Sequence, residues 1–126
     1  MSAPRTVTVH TVDHGPLTLP EPSWCAGAHE DGGARVDITH VGTEHVLTLP
    51  TRRGPVVSLS VSLESRPFAG DSFLRRPFAS VEVGGDVYPT GLAGLEAMAD
   101  ALAEHAEELR DRARELAVVL AEGRLR

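Results

Sequence analysis

Lysine is absent from this 126-residue chain, and all 12 of its basic residues are arginine. Cysteine occurs once, which excludes any internal disulfide. Aromatic residues make up 4% of the chain, so a core has to be assembled from Val, Leu, Ile and Ala, with few large anchors. A core of that kind leaves part of the stability to be supplied by a bound metal or a dimer interface. No run of 18 apolar residues occurs and residues 1–15 hold no apolar leader segment, so a membrane span is not expected and a cytoplasmic location is. Acidic residues outnumber basic ones 18 to 12, for a net charge of −6; such a chain is repelled by phosphate backbones, and nucleic-acid binding is not expected.

What is present reads as one domain over residues 1–126, with a β-rich part at 5–88 and a helix at 90–122. "RTVTVHTV" alternates with Val7 and Val9 on one face, as a half-buried strand does. A turn at Gly15-Pro16 and a short Leu17–Leu19 strand follow. "ARVDIT" alternates again, placing Val36, Ile38 and His40 on one face, and "HVGTEHVLTLP" reads as a hairpin return; with Val41–Glu44 as its loop, His40 stands directly opposite His45. In "PVVSLSVSL" the residues Val57, Leu59, Val61 and Leu63 are expected to face in and the serines out. Residues 64–77 read as a long loop, and "ASVEVGGDVYP" as a hairpin turning at Gly84-Gly85.

The last third is a helix pattern with Thr90 as the expected N-cap and an end near Gly123. Leu92, Leu95, Ala99, Leu102, Ala106, Leu109, Ala113, Leu116 and Leu120 recur at alternating steps of three and four, a heptad seam. In one reading the seam packs on a sheet. In another its distal part, near Leu109, Leu116 and Leu120, pairs with a second copy: a helix of this length spans roughly 48 Å, more than short strands can cover. The fold class expected is α+β, an antiparallel sheet of four to six short strands packed against one long C-terminal helix. The expected partner is a second copy of the chain, a homodimer through that helix, with a further protein partner possible.

The chemistry-bearing residues concentrate in 24–45, which holds the single Trp, the single Cys and three of the six histidines. Zinc takes thiolate and imidazole ligands in a tetrahedron. Cys25 and His29 are four apart, and one helical turn would align them. Together with His40 and His45 they make a set of one thiolate and three imidazoles. His14, His10 and Glu21 are rivals for the fourth place, and Trp24 is expected to shield the cluster. Three alternatives stay open: ordinary histidines beside a buried Cys, Cys25 as a nucleophile beside a His, and a three-ligand metal activating water with Glu30 or Glu44 as base. No orienting Asp or oxyanion hole is evident, so a non-catalytic, zinc-stapled accessory or regulatory module that binds protein is the expectation.

Trp24, Cys25, His29, His40 and Gly42, with the helix from Leu92 onward, resemble a family of small actinobacterial proteins of unknown function. These share a W-C-x3-H segment, a following H-x-G, a run of strands and a C-terminal Leu/Ala helix. The resemblance implies Cys25, His29 and His40 as the core three ligands. It also implies that where relatives carry a second Cys four residues before the first, this chain has Glu21, and that Glu21 or His45 takes its place.

Overall fold

Alternating Thr and Val make β1 (Arg5–Thr11), which folds back onto β2 (Gly15–Glu21) as an antiparallel hairpin with Val9 opposite Leu17 and Arg5 opposite Glu21. Gly15 sits at φ +64, a left-handed turn conformation that glycine adopts without strain. Val9 and Leu19 on the inner face meet Ile38 and form a small core, with Val7, Leu17 and Phe68 packed around it. The computed structural model describes residues 5–124. Within them the chain divides into two compact units, one ending at Gly91 and the other beginning at Leu92.

The rest of the first unit is a five-stranded antiparallel sheet. It comprises β3 (His40–Val41), β4 (His45–Leu49), β5 (Val56–Ser65), β6 (Phe78–Val83) and β7 (Asp86–Thr90). The long central β5 is flanked by β6 on one side. On its other side β3 and β4 lie one after the other, His40 pairing with Ser65 and His45 with Val61. The β6–β7 hairpin turns at Gly84 and Gly85, both at positive φ, as expected. A one-turn helix α1 (Ser72–Arg75) interrupts the long loop, capped by Asp71, whose carboxylate accepts from the Phe73 N–H at 2.9 Å.

Three expectations change. First, Val41–Glu44 is no hairpin loop. The Gly42 N–H donates to the Leu63 carbonyl at 2.8 Å, so pairing with β5 continues through it, and the reversal comes later, around Thr51–Gly54. His40 and His45 are therefore in line along one edge of β5 instead of facing each other. Second, Arg35–Asp37 is a 3-10 turn in place of a strand; Ile38 and His40 are buried while Val36 is exposed. The turn forms because the Arg35 N–H is taken by the Asp13 carboxylate at 2.9 Å, leaving no strand partner there. Third, Leu59, Val61 and Leu63 do share a face of β5, but a bulge opposite Leu47 and Thr48 turns Val57 to the other face, and Leu63 is 45% exposed while Ser60 on that other face is 8% exposed. Alternation reports which side chains share a face; what covers that face is a separate matter.

The second unit is the helix α2 (Leu92–Arg124), and no residue in it is buried. Thr90 ends β7 and its hydroxyl donates to the Tyr88 carbonyl at 2.8 Å instead of capping the helix. Among the described residues no helix is long and apolar enough to cross a membrane. The α+β class with antiparallel sheets of short strands and one long C-terminal helix is as expected.

Candidate metal centre

Four side chains converge where the hairpin, the irregular segment after it and the edge of the five-stranded sheet meet. Glu21 is the last residue of β2, and His40 is the first of β3. Between them the chain takes a turn at Pro22–Cys25, closed by the Cys25 N–H donating to the Pro22 carbonyl at 3.0 Å. It then runs beside β3, where the Ala26 N–H donates to the Val41 carbonyl at 2.8 Å. Its far end is tied to β1: Asp31 accepts from the His10 N–H at 2.9 Å, and the Val12 N–H donates to the Gly33 carbonyl at 3.0 Å. These ties hold Cys25 and His29 toward Glu21 and His40 with no helical turn between them.

One ligand atom from each of Glu21, Cys25, His29 and His40 lies within 4.8 Å of all the others. The Cys25 Sγ is 3.6 Å from His29 Nε2. The Glu21 carboxylate oxygens stand 2.9 and 3.1 Å from His29 Nε2, and Oε1 is 2.8 Å from His40 Nδ1. The Glu21 and His29 side chains are 6% exposed and that of His40 3%. Buried polar groups of this kind must be satisfied, and here the carboxylate accepts from both imidazoles. His29 and His40 meet edge to face with ring centroids 5.3 Å apart. Trp24 stands edge-on to His40 at 6.4 Å and half-buried, the shield expected of it.

The electrostatics follow from this packing. Burial alone would raise the Glu21 carboxyl, but hydrogen bonds from Cys25, His29 and His40 outweigh it and hold the group below its ordinary value. Burial, and then the Glu21 carboxylate beside it, push the Cys25 thiol up. A nucleophilic cysteine needs the opposite shift, so the surroundings disfavour Cys25 as an attacking thiolate. The Gly27 N–H points at Sγ from 3.4 Å, a donor that would stabilise sulfur once it carries charge.

The four side chains could hold a metal ion, and as they stand the 2.9 and 2.8 Å Glu21–imidazole separations are those of hydrogen bonds. With metal–sulfur and metal–nitrogen distances of about 2.3 and 2.0 Å, a tetrahedral site puts S and N about 3.5 Å apart, and the Cys25–His29 separation is 3.6 Å. The structure thus brings together Cys25, His29 and His40 of the expected set and leaves out His45. That residue is exposed in β4, paired with Val61, because the strand runs on past Gly42 and carries it along β5. His10 and His14 also lie outside the cluster. Glu21 fills the fourth place. In the sequence Glu21 was a rival for that place, standing where the resemblance puts a second Cys in relatives; its spacing of four from Cys25 carries no signal, since no helix forms here.

No curated protein and no solved structure matches the chain. The family described as Domain of unknown function (DUF6907) matches residues 6–118, a span that takes in the hairpin, all four converging side chains and most of α2, and the chain belongs to that family.

Proposed function

We propose that the chain is a zinc-stapled, non-catalytic accessory module that acts by binding protein. The observation that supports this most is the mutual approach of four buried donors, one carboxylate, one thiol and two imidazoles, from three separate chain segments. Sulfur and nitrogen donors in a tetrahedron select zinc over magnesium or calcium, which prefer oxygen. Four protein ligands leave no open position on a tetrahedral ion, and that marks a structural site and not a catalytic one. The staple has a clear mechanical use. It links the β1–β2 hairpin to the edge of the five-stranded sheet across a segment with no regular structure of its own, in a chain whose core is small and poor in aromatics.

The test is metal content by plasma mass spectrometry on protein purified without a histidine tag, for wild type and for the Cys25→Ser, His40→Ala double variant. One zinc per chain in wild type, absent from the variant, is the expected result. Wild-type protein that stays metal-free after incubation with zinc and dialysis would overturn the reading. The four side chains would then be a self-contained hydrogen-bonded cluster.

A further inference from the structure

We propose that α2 pairs with α2 of a second copy, in antiparallel orientation, through its Leu/Ala seam. This goes beyond the metal reading and stands whether or not the cluster binds an ion. Leu92, Leu102, Leu109 and Leu116 lie along the seam, and their exposures run from 47% to 76%. With Leu95 and the alanines between them, two such seams laid together would remove on the order of 1,000 Å² from water, the level a specific interface needs.

The order of large and small residues selects the orientation. Leu95, Leu102, Leu109 and Leu116 occupy one heptad position, and Ala99, Ala106 and Ala113 the other. In a parallel pair like positions meet, so layers of two alanines, which leave voids, would alternate with layers of two leucines. Reversing one helix sets each position against the other kind. Ala99 then faces the partner's Leu109, Leu102 faces the partner's Ala106, and Leu95 faces the partner's Ala113. Every central layer holds one large and one small side chain, and the two end layers pair Leu92 with the partner's Leu116. Alternation of this kind fills space evenly and lets the backbones approach closely.

Charge selects the same register independently. On the flank of the seam, this arrangement brings Glu96 beside the partner's Arg110, twice by symmetry, and Ala103 beside its own copy. Arg110 is exposed and meets Glu107 of its own helix at 2.8 Å, which leaves guanidinium donors free for a second carboxylate. In a parallel pair Glu96 and the partner's Arg110 are four turns apart, roughly 20 Å along the axis, and do not interact.

The experiment is sedimentation equilibrium of the full chain over a concentration series, on wild type and on Glu96→Arg, Arg110→Glu and the double reversal. Both sites are on the surface, so the variants fold. Wild type is expected to be a dimer. Each single reversal turns two attractions into repulsions and should weaken self-association roughly tenfold, and the double reversal should restore it to within about threefold. Leu109→Glu, at a central layer, should give a monomer. A monomeric wild type, single reversals without effect, or a double reversal no better than the singles would each overturn the antiparallel seam.

Discussion

Glu21 shows how one side chain can decide a site. It stands at the end of a strand rich in proline and leucine, where a carboxylate is ordinarily solvated, yet it is buried and holds both His29 and His40. Under the metal reading, Cys25→Ser and Glu21→Ala should each weaken zinc binding by at least 100-fold, whereas His45→Ala should leave it unchanged. Competition titration against a zinc-sensitive dye measures this, and a loss of affinity in His45→Ala would restore that residue to the ligand set. Binding should also release a proton. The Glu21 carboxyl lies below its ordinary value and is already ionised at neutral pH, while the Cys25 thiol is pushed up and still holds its proton. The thiol must lose that proton to coordinate, so affinity should rise about tenfold per pH unit through the neutral range. Calorimetry in buffers of different ionisation enthalpy reads the number released, and zero protons would mean that Cys25 is not a ligand.

At the scale of elements, Gly42 explains why the strand after His40 runs where it does. A Cβ there would sit 3.0 Å from the Trp24 carbonyl oxygen and 3.6 Å from Leu63 Cβ. The residue is glycine because the Trp24–Ala26 segment is laid directly against the sheet edge; its conformation needs no glycine, since its φ is not positive. Gly42→Ala should therefore cost about 1–2 kcal/mol, as overpacking at a rigid backbone contact does, and should also shift Cys25 away from His40. Urea unfolding combined with zinc affinity checks both effects; a neutral substitution would show that the contact can relax. Taking Val41–Glu44 as a hairpin loop is what set His40 opposite His45. The β1–β2 and β6–β7 hairpins, by contrast, were legible because glycines stand at their turns with alternating strands on both sides.

At the scale of the molecule, the core of the unit ending at Gly91 is small, with Val9, Leu19 and Ile38 in one cluster and Phe78, Ala79 and Val81 buried on β6, so under the metal reading a zinc cross-link between its two sheets would supply much of its stability. A chelator stronger than the site should lower its melting temperature by about 10 °C or more, given roughly 4–8 °C for each kcal/mol in a unit of this size. Differential scanning calorimetry with and without chelator makes the comparison. An unchanged transition in protein shown to contain zinc would mean that the ion contributes nothing to folding.

The sequence by itself determined the α+β class, most of the strands and the long helix with its heptad pattern, and it named Cys25, His29 and His40 as candidates. The fold features follow from local periodicity and from turn residues; the spacing of four between Cys25 and His29 implies a helical turn that the structure does not contain. Only the tertiary structure decided that β3 and β4 share one edge of β5, that Ser60 is buried where Leu63 is exposed, and that Glu21 replaces His45 beside the cysteine. The reason is physical. Periodicity states which side chains share a face, but the neighbours of that face come from segments tens of residues away. Glu21 and His40, 19 residues apart, meet at 2.8 Å only because the chain between them is tied at one end to β3 and at the other to β1.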